Sequence, residues 1–360
     1  MRVALIVGQL TRGGTEAQVA GLACHVDRAR LEPIVICTSQ HSEPFGSELQ
    51  RRGVVVARAR GTRLARWLER APVSAIASFG DPAGVIVSIA NRRARVPRVH
   101  GIRSEHAGVG RAVARAFAVA HADVVTRNDP QRCEPTELYL PNGVDFERFR
   151  VARRSFPRQP RLLFVGRASA AKGSMDLARA LLRIRRRLEL ALLGPGLERA
   201  AEVIARNPAV EMRHVGPVED ITPWFEWSGV VVSASRSEGS PNALLEAMAA
   251  ARPVVATAVG GQRALVLDGL TGRLVPPRDP ARLAAAIEEL VSDSERAHRF
   301  GQNGEARARA EHSWPIACAA LERSLLASLE TKRRLPGCLD LDEGTSLAEN
   351  EAFLARVHHR

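Results

Sequence analysis

The chain has 360 residues, a length that favours two domains over one ordinary core. Its 45% apolar and 25% charged residues are the profile of a soluble globular protein, and no apolar run approaches the ~20 residues that span a bilayer. A formal charge of +13 at pH 7 admits nucleic acid, an anionic membrane surface or a phosphorylated substrate as partner. In residues 51–120, 14 arginines face only Glu69, Asp81 and Glu105. That stretch offers just Trp67, Phe79 and Phe117 as stacking aromatics, so nucleic acid is not expected.

Residues 1–10 are apolar but carry no basic leader and no small-residue cleavage site, so they read as a first buried strand in a cytoplasmic chain. Cys24, Cys37, Cys133, Cys318 and Cys338 are odd in number and scattered, which suits reduced thiols and not a disulfide framework or zinc site. The ten histidines show no ligand spacing such as H-E-x-x-H, and no metal is expected.

In chain order, residues 3–8 (V-A-L-I-V-G) form a continuous apolar run ending in glycine, the mark of a parallel strand buried on both faces. Strands follow at 31–38, 54–57, 74–78, 99–103, 123–126 and 138–140, with helical stretches between them. Residues 151–160, rich in proline and arginine without periodicity, read as a linker. The alternation restarts with strands at 161–166, 189–194, 210–215, 229–233, 253–257 and 272–275. The expected fold is α/β: two doubly wound Rossmann-like domains, 1–150 and 161–314, facing a cleft. A C-terminal helix at 315–330 is expected to pack back toward the first domain, followed by a polar, partly disordered tail at 331–360.

Three motifs carry chemistry. In residues 235–249 (S-R-S-E-G-S-P-N-A-L-L-E-A-M-A), Ser240 is placed to cap a helix with Pro241 at its first position. No capping-box carboxylate reaches back, so the amides of Asn242, Ala243 and Leu244 are expected to meet a phosphate, assisted by the helix dipole. Asn242 and Glu246 are polar exceptions on an apolar helix, one turn apart. A lone carboxylate at Glu246 wants donors, and vicinal ribose hydroxyls would serve, while Glu238 would reach another part of the ligand. The same residues admit a plainer reading, with Glu238 a solvated loop acid and Glu246 a core acid paired with an arginine.

Residues 165–173 (V-G-R-A-S-A-A-K-G) follow a strand and place Arg167 and Lys172 on either side of a flexible loop, suited to gripping a diphosphate. Only Lys172 and Lys332 are lysine among 52 basic residues, so a compact ammonium is kept at this loop. Near the N-terminus, Thr15 and Gln18 fit a capping box, which leaves Gly14 as the contact for a phosphate or sugar. The spacing there is not G-x-G-x-x-G, which counts against a dinucleotide oxidoreductase. Gly194-Pro195-Gly196 and Val215-Gly216-Pro217-Val218 follow strands and would rim the carboxyl edge, or are ordinary turns.

Glutamate, seven residues, glutamate, embedded in S-E-G-S-P-N-A-L-L-E-A-M-A, resembles the signature of retaining glycosyltransferase family 4 (glycosyl transferases group 1). The likeness runs from Gly13-Gly14 to the L-D-G-L-T-G turn at 267–272 and is most specific over 161–290. It implies a B-type glycosyltransferase fold with Arg167, Lys172 and Glu238 as catalytic residues. It also implies a donor site of Gly14, Gly166, Arg167, Lys172, Gly216, Glu238, Gly239, Ser240, Asn242, Ala243, Leu244 and Glu246, with Glu238 on the sugar and Glu246 on the ribose. The diphosphate clamp makes a metal unnecessary in that family, so no cofactor is expected. Arg103 stands where many members have histidine, and Arg103 and His106 are the acceptor-side candidates, with His100 nearby and structural. Two further departures are Ala264, where a Gly-Gly-x-x-Glu pattern has its glutamate, and Trp227-Ser228-Gly229, in place of a small-Asp pair.

The resemblance implies metal-independent transfer of a sugar, with retention, from a nucleoside diphosphate-sugar to a sugar, lipid-linked or other hydroxyl acceptor, in the synthesis of surface polysaccharide, glycolipid or a related glycoconjugate. The leaving diphosphate would help accept the proton, in a front-side mechanism without a protein nucleophile. Alternatives are a same-fold nucleotide-sugar epimerase, a phosphorylase, or a non-catalytic nucleotide-sugar-binding protein. A phosphorylase would need a pyridoxal-phosphate lysine, and a periplasmic binding protein a signal peptide. In residues 61–70, Leu64, Trp67 and Leu68 share a helical face flanked by Arg63, Arg66 and Arg70. In 110–120, Val113 and Phe117 are one turn apart, as are Arg111 and Arg115. Such segments suit an anionic membrane surface, which would make the protein peripheral at the inner face of the cell membrane, or they are ordinary helices covering a sheet.

Overall fold

A computed structural model describes residues 1–71, 73–103, 109–154, 156–157 and 159–333. The chain divides into two compact units. The first comprises Met1–Asn128, Arg132–Pro141 and the chain from Trp314; the second comprises Asp129–Gln131 and Asn142–Ser313.

In the first unit the elements are β1 (Arg2–Val7), α1 (Gly14–His25), β2 (Glu32–Cys37), α2 (Phe45–Arg51), β3 (Val55–Arg58), α3 (Thr62–Arg70), β4 (Ala75–Phe79), α4 (Asp81–Ala90), β5 (Arg98–Ile102), α5 (Val109–Ala120), β6 (Val124–Arg127) and β7 (Glu137–Tyr139). All pairings are parallel, in the order β3-β2-β1-β4-β5-β6-β7. The order reverses between β1 and β4, whose connections leave in opposite directions and open a gap at their carboxyl ends. Along β1, Val3, Leu5 and Val7 pack on one face, and Ala4 and Ile6 on the other. The continuous apolar run is therefore the signature of a strand covered twice.

The second unit begins with α6 (Arg150–Arg154) and continues through β8 (Arg161–Val165), α7 (Ser174–Leu181), β9 (Leu188–Leu193), α8 (Glu198–Ile204), β10 (Val210–Gly216), α9 (Thr222–Trp227), β11 (Val230–Ser233), α10 (Asn242–Ala249), β12 (Val254–Thr257), α11 (Gly260–Leu265), β13 (Gly272–Val275), α12 (Pro280–Ser292) and α13 (Ser294–His312). Its parallel sheet runs β10-β9-β8-β11-β12-β13, with the reversal between β8 and β11. Leu162 and Phe164 pack on one face of β8 and Leu163 on the other. Every strand expected from an apolar run has its counterpart.

The structure bears on four expectations. The segment read as a linker opens with α6, and Ala152 is fully buried in the second unit's core together with Phe146 and Phe149. Thr15 and Gln18 form no capping box, because α1 starts at Gly14 with Gly13 as its cap and no side chain caps that end. A Cβ on Gly13 would strike the Glu16 carboxylate, which Gln9 Nε2 contacts at 3.2 Å. Next, Leu64, Trp67 and Leu68 of α3 are buried in the first unit's core. That apolar face is spent on the sheet and leaves Arg63, Arg66 and Arg70 exposed together with Thr62 and Glu69. Finally, no helix among the described residues is long and apolar enough to cross a membrane; the tail expected at 331–360 falls outside the described residues from 334 onward.

The last helix, α14 (Trp314–Arg333), packs in the first unit. Trp314 stacks on His25 with ring centroids 4.9 Å apart, and its indole occupies the space where Gly21 lacks a side chain. Ala317, Leu321 and Leu325 are fully buried against α1 and the sheet. Leu321→Ala should cost about 2–5 kcal/mol of unfolding free energy by leaving a cavity in this cluster. Urea titration followed by circular dichroism measures it, and a loss below about 1 kcal/mol would mean that α14 is not part of this core.

Candidate active site

The gap between β8 and β11 is where two loops diverge, one from β8 to α7 and one from β11 to α10. The first carries Gly166, Arg167 and Lys172, and the second carries Glu238, Gly239 and Ser240. Gly173 caps α7 with φ +63°, and a side chain there would collide with the carbonyl of Ala234. The N–H groups of Arg236 and Ser237 both point to the carbonyl of Ala171, at 2.7 and 3.4 Å. The two loops are thus sewn together through the backbone, which brings Lys172 and Glu238 into an ion pair across the gap.

Around that pair is a directed polar chain. Buried Gln262 donates through Nε2 to Ser233 Oγ (2.6 Å), Ser233 Oγ and Ser235 Oγ lie 3.2 Å apart, and Ser235 Oγ donates to Glu238 Oε2 (3.3 Å). Thr257 Oγ1 holds the Ser235 carbonyl at 2.5 Å and lies 3.1 Å from Gln262 Oε1. Gly260 and Gly261 let α11 approach the same loop; a Cβ on either would strike the carbonyl of Glu238 or Gly239, and Gly261 N–H donates to the Gly239 carbonyl at 2.8 Å. Sequence reasoning missed Ser235 and Gln262 as site residues. For Ser235 the local mark is a hydroxyl two residues beyond a strand end; Gln262, within α11, carries none.

Arg167 is exposed, and no hydrogen bond or ion pair reaches its guanidinium among the described residues. Gly166 donates its N–H to the Leu193 carbonyl (2.9 Å), and Gly194 donates to the Gly216 carbonyl (2.8 Å). Gly166, Gly194 and Gly216 therefore line successive carboxyl ends of β8, β9 and β10.

The start of α10 differs from the sequence expectation. The helix begins at Asn242, Pro241 occupies the capping position with ψ 94°, and Ser240 caps nothing with its side chain. Both Leu244 and Leu245 direct their N–H to the Pro241 carbonyl at 3.1 Å, which removes Leu244 from the amides able to meet a ligand; its side chain is fully buried as well. Asn242 Oδ1 accepts from Asn142 Nδ2 (2.7 Å), an anchor no local pattern announced.

One turn into α10, the partly buried Glu246 receives no hydrogen bond or ion pair among the described residues, so the reading in which it pairs with an arginine does not hold. Burial pushes its carboxyl up to about 7, against an opposing pull from the positive charge of Arg148. Arg148 itself is engaged by Asp220 and Thr222.

In the first unit, Gly14 opens α1 just beyond β1 and beside that sheet's own reversal point. Arg103 follows β5, is 8% exposed, sits over the Phe79 ring at 5.1 Å and donates to the Leu140 carbonyl at 3.4 Å; burial pushes it down to about 10. It is a core cation, not an open contact. His106 lies outside the described residues. His100 is fully buried, with Nδ1 3.1 Å from Ser78 Oγ and Nε2 3.9 Å from Asp81, a structural setting.

Glu246 has a pH signature. Its folded pKa of about 7 lies above the ordinary 4.5, so the stability it leaves intact below about 4.5 is lost as the pH rises through about 7. Glu246→Gln should therefore stabilise the unliganded protein by about 1–3 kcal/mol at pH 8 and by nothing at pH 4. Thermal unfolding at the two pH values measures this; equal midpoint shifts at both would contradict it.

Residues 159–293 match the family model described as glycosyl transferases group 1. The chain is 30% identical over 245 residues to a D-inositol 3-phosphate glycosyltransferase of Xylanimonas cellulosilytica, covering 59% of this chain and 58% of that protein. It is 29% identical over 298 residues to a glycogen synthase of Mycobacterium tuberculosis, covering 74% and 69%. The chain spans little more than half the length of the first curated relatives it matches. In three dimensions it superposes on Anabaena HepE in complex with UDP and glucose, with TM-score 0.78 at 20% identity, covering 91% of this chain and 100% of that one. It also superposes on sucrose-phosphate synthase from Thermosynechococcus elongatus, with TM-score 0.71 at 21% identity, covering 91% and 99%. The second unit carries a segment similar to the group 1 glycosyl transferases, and the two Rossmann-like sheets have the B-type glycosyltransferase fold.

Proposed function

We propose that this protein transfers a sugar, with retention and without a metal ion, from a nucleoside diphosphate-sugar to an acceptor hydroxyl. The observation that carries the reading is the pairing of opposite needs at one sheet edge. Among the described residues Arg167 is a cation with no counter-charge and Glu246 a carboxylate with no donor, and they lie on a loop and a helix around the same reversal point. A nucleoside diphosphate supplies the anion for the first and vicinal ribose hydroxyls for the second. In this scheme Lys172 leaves Glu238 to join Arg167 on the diphosphate, and Glu238 meets the sugar. Charge growing on the leaving group is stabilised by two fixed cations, which makes a metal dispensable. The leaving diphosphate, held on the sugar face where the acceptor attacks, takes the acceptor's proton. The product is a glycoconjugate whose acceptor is a sugar, a lipid-linked sugar or another hydroxyl compound.

Substitution tests both needs. Glu246→Gln should weaken nucleoside diphosphate binding by about 1.5–3 kcal/mol, since an amide cannot accept from both hydroxyls as a carboxylate does. Calorimetry with uridine, guanosine and adenosine diphosphates identifies the base and measures the loss; unchanged binding of the preferred nucleotide would remove Glu246 from the site. Arg167→Ala and Lys172→Ala should each lower turnover by roughly two orders of magnitude or more. Wild-type turnover should survive excess chelator, and a loss restored by magnesium or manganese would overturn the metal-free scheme. The anomeric configuration of the product, read by nuclear magnetic resonance, tests retention.

We place the enzyme in the cytoplasm at the inner face of the membrane, held there by charge. With the apolar face of α3 buried, Arg63, Arg66 and Arg70 act as surface cations without insertion, at about 1 kcal/mol each near an anionic bilayer. Co-sedimentation with anionic liposomes should appear at low salt, fade as salt rises, and fall when the three are changed to glutamine. A wild type that stays in the supernatant at low salt contradicts this location.

A further inference from the structure

The ion pair between Lys172 and Glu238 raises a difficulty for the reaction just proposed, on which this inference rests. In the unliganded site that pair ties the two loops together, yet donor binding draws Lys172 to the diphosphate and Glu238 to the sugar. The cross-link is given up in the one state where the separation of these side chains matters most. The backbone bonds from Arg236 and Ser237 to Ala171 remain, and a side-chain contact outside the exchange can restrict the loops further.

Asp176 and Arg236 make such a contact. Asp176 lies on the first turn of α7, four residues after Lys172, and Arg236 lies two residues before Glu238. Arg236 grips the carboxylate in a two-pronged bond, Nε to Oδ2 at 2.6 Å and Nη2 to Oδ1 at 2.7 Å. Arg179 Nη1 adds a third contact to Oδ1 at 3.3 Å. Asp176 is only 3% exposed and both of its oxygens are engaged by arginine, which leaves it little access to a ligand. Its carboxyl is held below the ordinary range, first by the hydrogen bonds from Arg236 and further by the positive charges of Arg236, Arg179 and Arg278 against the cost of burial. The lowered pKa favours the ionised carboxylate and so the salt bridge. The planar fork also fixes direction as well as distance, which a lysine could not do.

We propose that the Asp176–Arg236 pair is a positioning device: it keeps the Lys172 loop and the Glu238 loop at working separation while their own ion pair is open. Neither residue touches the reacting atoms. They act through Glu238 and Lys172, by restricting the loop that would otherwise relax when the Lys172–Glu238 bond is exchanged for ligand contacts.

The test uses the full chain with Asp176→Asn, Arg236→Lys and the double variant. Each single variant should lose about 10–100-fold in kcat per folded molecule, the size expected for a misplaced reacting group. Nucleoside diphosphate affinity should stay within about threefold of the wild type, because Glu246 and Arg167 are untouched. The double variant should be no worse than either single one, since the two residues act as one unit. Backbone hydrogen exchange should rise in residues 234–241 and not in α10. Wild-type kcat per folded molecule in Arg236→Lys, nucleotide affinity falling as far as kcat, or unchanged exchange in 234–241 would each overturn the proposal. A wild type that transfers no sugar would count against the glycosyltransferase reading instead, and the exchange measurement would still decide the pair.

Discussion

Two neighbouring parallel strands whose connections leave the sheet in opposite directions create a gap that those connections cannot fill. In the second unit that gap lies between β8 and β11, and the structure around it depends on how closely two loops are drawn together there. Gly173 admits the carbonyl of Ala234, Ala171 receives two amides from the opposite loop, and Gly260 and Gly261 admit the carbonyls of Glu238 and Gly239. Each contact is a backbone approach that a side chain would block. Packing of this kind leaves the functional groups few positions, which is the precondition for binding a transition state better than a substrate.

Around this frame the charges are arranged unevenly. Lys172 and Glu238 neutralise one another, Asp176 is paired with arginine, and Glu246 and Arg167 are left unsatisfied in opposite senses among the described residues. A carboxyl driven up to about 7 by burial costs the empty protein stability near neutral pH, and a ligand bearing two hydroxyl donors removes that cost. The site is thus less stable than it need be in the absence of a ligand, as expected where stability and function compete.

Much of this was legible in the sequence, for specific reasons. Strands such as β1 and β8 are continuous apolar runs because helices cover both faces of each sheet, and a strand with one wet face would alternate instead. Glu246 stood out as the one acid on a helix apolar nearly all round, and Glu238 as the acid in the loop that leads into it. What failed was local chemistry that tertiary contacts override. Ser240 looked like a cap, but the helix starts later, after an extended Pro241. Thr15 and Gln18 looked like a capping box, but the helix already starts at Gly14 with Gly13 as its cap. The amphipathic pattern of α3 was correct, yet a pattern cannot say whether its apolar face meets a bilayer or the protein's own sheet. Asp176 and Arg236 are 60 residues apart, and nothing local couples them.

The proposed reaction rests on a nucleoside diphosphate lying at the reversal point of the second sheet, with Glu246 on its ribose and Arg167 and Lys172 on its phosphates. A crystal structure of the protein with its preferred nucleoside diphosphate tests this most directly. Both ribose hydroxyls are expected within hydrogen-bond distance of the Glu246 carboxylate, and Lys172 turned from Glu238 to a phosphate oxygen. A nucleotide bound with Lys172 still paired to Glu238 and Glu246 without a ribose contact would contradict it.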